Sequence, residues 1–99
     1  MKTSEILFKA REIQLERGRA VNDYENEHSG VCMIGAIRLA CGSVSPHGGN
    51  HLAIPAYFAM ERVTGPLHLT LFSDRDCKTK HDMAAAFEIA ACCAAAEGN

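Results

Sequence analysis

Hydrophobic residues recur in four stretches of the chain at the three- and four-residue spacing of an α-helix, and polar segments separate these stretches. In the first stretch, Ile6, Leu7, Ala10 and Ile13 form one such stripe. The four stretches predict helices at residues 4–17, 30–41, 55–64 and 80–96.

Residues that commonly begin and end helices flank these stretches. Side chains able to accept hydrogen bonds from the first backbone N–H groups precede three of them: Thr3 or Ser4, Ser29, and Thr79 with Asp82 three positions on. Pro55 fits the first turn of the third helix, where its missing N–H costs nothing. Glycines end the first three helices, at Gly18, Gly42 and Gly65.

Residues 31–42 are apolar on nearly every side of the predicted second helix, and only Arg38 among them carries a charge. A helix of this kind must be covered on several sides, so we expect it to form the centre of the core. Gly35 lies in its middle, where glycine costs about 1 kcal/mol relative to alanine. We therefore predict that another backbone, most simply that of a crossing helix, approaches Gly35 closely.

The segments between the helices are long and polar at residues 19–30 and 43–50. Residues 67–72 alternate leucine with polar residues, as a β-strand would, yet no second run of this kind offers a partner strand. We expect a short extended or single-turn segment there, with its leucines in the core. At 99 residues, the chain is predicted to be one all-α domain, a compact bundle of about four helices with long polar loops.

Charge and composition narrow the classes of function. The formal net charge of −2 argues against a dedicated nucleic-acid-binding protein, and no run of about 18 apolar residues predicts a membrane span. The N-terminal residues carry charges where a secretory signal needs an apolar region, so we expect a cytoplasmic protein. Five cysteines in that compartment are expected to be free thiols.

Two acidic segments are candidates for binding a partner. Asp23, Glu25 and Glu27 surround Tyr24 in the first long loop, and Asp74 and Asp76 lie in a polar turn before the fourth helix. The simpler interpretation of the loop is a solvated connector with Tyr24 and Val21 packed on the core. For the aspartates, the simpler interpretation is that they accept hydrogen bonds from backbone N–H groups of the turn.

Cysteine and histidine spacing suggests an alternative chemistry. His28 and Cys32, like Cys77 and His81, are four residues apart, and two helical pairs of this kind make a Cys2His2 set for zinc. Cys32 is also a candidate nucleophile in the first turn of the second helix, with His28 or His81 as its base. The competing interpretation is a buried, inert Cys32 among ordinary polar residues.

The order of these motifs resembles a family of small proteins of unknown function from actinobacteria and their phages. The resemblance rests on Cys32-x-x-Gly35-Ala36, on the aromatic-Ser-Asp turn ending at Asp74, and on Thr79-x-x-Asp82. This chain has serine where the family usually has asparagine, and it lacks the tryptophan often found near the central cysteine. The resemblance implies a helical fold and an actinobacterial or phage source, and it brings no assigned chemistry.

By elimination, the sequence predicts a non-enzymatic protein-binding protein with no cofactor and no catalytic residue. If the source is a phage, the expected partner is a protein of the bacterial host, bound in the host cytoplasm. The contact surface is either the acidic loop or the alanine- and cysteine-rich face of the fourth helix, which would also suit a homodimer. The alternative is a small zinc-stabilised or cysteine-dependent domain centred on Cys32.

Overall fold

The computed structural model of the protein describes residues 1–65 and 72–99, and these residues form an all-α structure, as predicted. The helices are α1 (Thr3–Arg17), α2 (Met33–Ala40), α3 (Ile54–Thr64) and α4 (Lys80–Ala96). A 3-10 turn at His51–Ala53 precedes α3, and a π-helical turn covers Phe72–Asp76. The predicted segment at 67–72 lies outside the described residues except for Phe72, which begins the π-helical turn.

Helix α1 packs against each of the other three helices, most extensively against α4 and then α2. Its buried face consists of Ile6, Leu7, Ala10 and Gln14, together with Ser4 at the start. The predicted second helix is buried as expected, but α1 and not α2 has the extensive contacts with the other helices. Helix α2 packs on α1, and loop residues that include Tyr24 and Pro46 lie against its Gly35.

Large apolar side chains from all four helices meet in one core. Those with almost no exposed surface are Phe87, Leu7, Met33, Ile37, Met60 and Met83. Around them, α4 contributes mainly alanine, and the small side chains of Ala90 and Ala91 let α1 and α3 approach α4 closely. The outward face of α4 carries the exposed cysteines Cys92 and Cys93. None of the described helices is both long and apolar enough to cross a membrane.

The start of α4 follows the predicted pattern. The Thr79 hydroxyl accepts a hydrogen bond from the Asp82 N–H at 3.2 Å, and the Asp82 carboxylate accepts from the N–H groups of Thr79 and Lys78 at 3.1 and 2.9 Å. These N–H donors stabilise the ionised carboxylate, so they lower the pKa of Asp82. The sequence pattern therefore identified a complete capping box.

Replacing Thr79 with alanine is expected to destabilise the protein by about 1 kcal/mol, because one backbone N–H at the start of α4 loses its acceptor. In a domain of this size, that loss lowers the melting temperature by roughly 4–8 °C. Thermal unfolding followed by circular dichroism measures the shift. Thr79→Ser, which keeps the hydroxyl, is the matched control and should stay within about 0.5 kcal/mol of the parent protein.

The predicted caps of α1 and α2 are wrong. Helix α1 includes Thr3 and Ser4, and the Glu5 carboxylate accepts from the backbone N–H of Lys2 at 3.0 Å instead. Helix α2 begins three residues after the predicted start, because Ser29 has a left-handed backbone (φ +66°) and Val31 is held in extended bridges to Arg19 and Glu25. Its capping side chain is Cys32, whose sulfur accepts from the Gly35 N–H at 3.3 Å.

Candidate functional site

The loop of residues 19–30 has a hydrogen-bonded structure of its own. Asn26 organises its tip: the side-chain oxygen accepts from the N–H groups of Gly30 and His28 at 2.8 and 3.0 Å, and the side-chain nitrogen donates to the Arg19 carbonyl at 3.1 Å. At its base, the Ala20 N–H donates to the Val31 carbonyl at 3.1 Å. The loop is therefore a folded element that can hold side chains in place.

Gln14 fixes both ends of this loop to α1. Its side chain is fully buried, and its amide nitrogen donates to the carbonyls of Gly18 and Val31 at 2.9 and 2.7 Å. One turn later, Arg17 donates to the Ser29 carbonyl at 2.8 Å and forms an ion pair with Glu25. Two consecutive turns of α1 thus position the loop.

The turn at residues 72–76 is joined to the same loop and to α2. The Arg19 guanidinium donates to the backbone carbonyl of Asp74 at 2.9 Å and more weakly to that of Ser73 at 3.4 Å. The buried Ser73 hydroxyl accepts from the N–H of Met33, the first residue of α2, at 3.3 Å. Residues 40 to 55 positions apart in sequence are brought together in this way.

A cleft of about 350 Å³ lies between the loop and the turn, and among the described residues it is lined by Asn22, Asp23, Tyr24, Cys32 and Asp74. Three of these, Asp23, Tyr24 and Asp74, are predicted binding residues. The Asp74 Oδ1 atom is buried and has no hydrogen-bond partner among the described residues. A buried oxygen of this kind is normally paired, so Asp74 carries an unsatisfied acceptor beside the cleft.

Arg38, the lone charge of α2, supports Tyr24. Its guanidinium carbon lies 4.6 Å from the centre of the Tyr24 ring, within range of a cation–π interaction. The same side chain donates to the Tyr57 hydroxyl at 3.3 Å and to the Pro46 carbonyl at 3.1 Å. Arg38 was missing from the candidate residues, although a single charge within an apolar helix was a signal available in the sequence.

Tyr24 and Val21 do not pack on the core, contrary to the simpler interpretation of the loop. Their exposed fractions are 38% and 44%. The Tyr24 carbonyl lies against Gly35 and also accepts from the Cys32 N–H at 3.3 Å. The Tyr24 backbone is therefore buried against α2, while its partly exposed ring lies on the Arg38 guanidinium beside the cleft.

The remaining acidic candidates have other neighbours and do not line the cleft. Glu25 forms its ion pair with Arg17, Glu27 lies 3.5 Å from the His28 ring, and Asp76 lies 3.6 Å from the Arg75 side chain. Neither Asp23 nor Asp74 forms an ion pair within residues 1–65 and 72–99. These two carboxylates line the cleft, and the guanidinium groups of Arg19 and Arg38 lie near them without forming an ion pair.

The four residues of the zinc hypothesis are not arranged as a metal site. His28 is 85% exposed and lies outside α2, so it does not share a helical face with Cys32. Cys77 is buried, whereas His81 is exposed on the first turn of α4. Nowhere in the described parts of the chain do three histidine, cysteine or acidic residues come close enough together to hold a metal ion.

The buried thiols are poor candidates for a nucleophile. Burial raises the pKa of Cys32; the hydrogen bond from Gly35 opposes this shift, and the nearby Asp74 carboxylate adds to it. Burial also raises the pKa of Cys77, to about 11. A thiol must ionise to attack, so both groups are neutral and unreactive near pH 7.

Iodoacetamide at pH 8 is expected to modify the exposed Cys92 and Cys93 while Cys32 and Cys77 stay unmodified. A pKa of about 11 against an ordinary 9.0 leaves Cys77 with an about 100-fold smaller thiolate fraction, and burial blocks the reagent further. Peptide mass spectrometry after timed quenching measures each site, with urea-unfolded protein as the control. Rapid labelling of Cys32 in the folded protein would revive the cysteine-dependent hypothesis.

The chain belongs to a family of unknown function (DUF6197), whose sequence model matches residues 1–92. No curated protein and no solved structure matches the chain. The membership agrees with the resemblance to an unknown-function family, while the actinobacterial or phage origin stays a prediction.

Proposed function

We propose that this family member is a non-enzymatic protein-binding protein, and that its cleft receives a lysine or arginine side chain of the partner protein. The observation that carries the proposal is the convergence of Asp23, Tyr24 and Asp74 on one cleft, with the buried Oδ1 of Asp74 lacking a partner. A protein of this kind would act by occupying a surface of its partner.

The chemistry of the lining favours a basic side chain. Lysine and arginine carry only donors, and a hydrogen bond between a charged donor and a carboxylate is worth about 1.5–3 kcal/mol. Asp23 adds a second carboxylate, and the exposed Tyr24 ring offers an apolar surface for the methylene stem of the incoming side chain. The cleft volume of about 350 Å³ lies at the small end of ligand pockets and suits one long side chain.

The same lining supports binding over catalysis. Among the described lining residues, the candidate nucleophile is Cys32, which is 5% exposed and neutral near pH 7, and none of these residues is a histidine that could serve as a base. The resemblance to actinobacteriophage proteins extends the proposal to the partner's origin. In that case the partner is a protein of the bacterial host, and the complex forms in the host cytoplasm.

Photo-crosslinking in the native cells tests this proposal. Benzoylphenylalanine placed at Val21, which is exposed in the loop next to the cleft residue Asn22, should form a covalent adduct with the partner. We expect Asp74→Asn to reduce the adduct yield about tenfold or more, because the charged hydrogen bond is lost. Asp76→Asn, in the same turn but outside the cleft, is the matched control and should leave the yield unchanged.

Two further measurements keep the result interpretable. The melting temperature of Asp74→Asn should match that of the parent protein, since Arg19 contacts the backbone carbonyl of residue 74 and not its carboxylate. A crosslinker at Val44, which is fully exposed in the 43–50 loop, should not capture the same protein. Equal yields from Asp74→Asn and the parent, or the same adduct from position 44, would contradict binding at the cleft.

A further inference from the structure

A second concave surface lies between α3 and α4, and none of its described lining residues also lines the cleft. This groove has a volume of about 380 Å³. Most of its lining is apolar, and the main contributors are Ile54, Phe58, Ala59, Ala90, Cys93 and Ala94. It includes part of the alanine- and cysteine-rich face of α4 that the sequence analysis offered as a contact surface.

Large apolar side chains stand exposed around this groove. Phe58 is 63% exposed and Ile54 is 47% exposed, and their four-residue spacing places them on one face of α3. Ile89, at 55% exposure, lies one turn before Cys93 on α4. Adjacent exposed apolar side chains of this size commonly mark a protein contact surface.

The edge of the groove carries one positive and one negative charge. Arg62 on α3 and Glu97 just after α4 both line the groove and form an ion pair with each other. A strongly acidic or strongly basic partner would therefore find little net electrostatic attraction at this edge. A surface that carries the same two charges in the opposite order would pair with both.

We propose that the partner on this surface is a second copy of the chain, related by a two-fold axis. In a two-fold interface the same patch faces itself, so Arg62 of each copy can lie against Glu97 of the other. The patch also presents a protruding aromatic ring, Phe58, beside an open groove, so each copy supplies both the projection and the recess. The small side chains of Ala90 and Ala94 allow the partner's helix to approach closely.

The size of this surface predicts a dimer that dissociates on dilution. The 11 residues of α3 extend over about 16 Å. Two neighbouring helices are about 20 Å wide, so this face falls short of the roughly 800 Å² that each partner buries in a standard interface. Association of this kind belongs to the weak, transient class.

Analytical ultracentrifugation between about 10 µM and 1 mM protein measures the association. A reducing agent is kept present so that the exposed Cys92 and Cys93 cannot form an intermolecular disulfide. We expect a monomer–dimer equilibrium that Phe58→Asp weakens by about 30-fold or more, as for the loss of a central aromatic residue. Val44→Asp places the same charge on an exposed residue outside the groove and should leave the equilibrium unchanged.

A mixing experiment tests the two-fold arrangement itself. Arg62→Glu gives a patch with two negative charges and Glu97→Arg a patch with two positive charges, so each variant alone should dimerise more weakly than the parent. Both variants lose the ion pair within the chain, yet an equimolar mixture should form a heterodimer at least as readily as the parent forms its homodimer. A merely structural role for the ion pair would give no such recovery.

A parent protein that stays monomeric over the whole concentration range would overturn this proposal. So would full dimerisation of Phe58→Asp, or a mixture that associates no better than its components. The inference does not depend on the proposed function, because crosslinking through Val21 and dimerisation through Phe58 use different residues. Either can fail while the other holds.

Discussion

Replacing Phe87 with alanine is expected to destabilise the protein by about 3–5 kcal/mol, the largest effect of any single substitution considered. Phe87 is the largest fully buried side chain, and it lies on α4 within the core that α1, α2 and α3 complete. Its neighbours on α4 are mostly alanines, which are too short to fill the space left by the ring. A small domain has about 5–15 kcal/mol of total stability, so this variant should be largely unfolded by mild denaturant.

Urea unfolding followed by circular dichroism measures this change, and Phe8→Ala is the matched control. Phe8 lies on α1 with 37% of its surface exposed, so its removal should cost less than about 1 kcal/mol. A cost at Phe87 no larger than that at Phe8 would show that the core is not packed around α4 as described.

Replacing Gly35 with valine is expected to destabilise the protein by about 2–3 kcal/mol and to open the cleft. A β-carbon at this position would lie 2.8 Å from the Tyr24 carbonyl oxygen and 3.0 Å from the Pro46 side chain. The first of these neighbours is backbone, so relief of the clash requires the loop to move away from α2. Replacing a helical glycine with alanine would raise helix propensity and partly offset the clash. Valine is β-branched and gives less of this stabilisation.

The control for Gly35 is Gly48→Val in the 43–50 loop. A β-carbon on Gly48 would meet nothing within 4 Å, so that substitution should change the stability by less than about 0.5 kcal/mol. The two variants are compared by urea unfolding and by the crosslinking yield at Val21. Gly35→Val should lower both the stability and the crosslinking yield. A lower crosslinking yield at unchanged stability would still show that the cleft lies beside Gly35. Unchanged stability and unchanged yield would contradict the close packing of loop and helix.

The sequence predicted the helices well because their periodicity and caps are local signals. The stop at Gly18 and the capping box at Thr79 act over a few residues, and the structure confirms both. The start of α2 was misplaced because Ser29 is a favourable cap by type, and only the folded loop shows its left-handed backbone. The cap there is a cysteine sulfur, which residue preferences do not favour.

The sequence identified several residues of the cleft, but it could not show how they are arranged in space. A close approach to Gly35 followed from the cost of a glycine within a helix, but the approaching backbone belongs to the Tyr24 loop and not to a crossing helix. The meeting of Tyr24 with Asp74 depends on Arg19 bridging 55 positions of sequence, which no local pattern encodes. Helical spacing also does not distinguish the exposed Phe58 from a core residue, because the exposure of a side chain on α3 depends on which helices pack against it.

A titration followed by NMR measures whether the cleft recognises a basic side chain. The ¹⁵N-labelled protein is titrated with a blocked tripeptide that has arginine at its centre, and separately with the same peptide carrying glutamine. We expect saturable shifts of the Asp23, Tyr24 and Asp74 amide signals with the arginine peptide only, and their loss in Asp74→Asn. Equal shifts with the glutamine peptide, or saturable shifts that persist in Asp74→Asn, would rule out recognition of a basic side chain at the cleft.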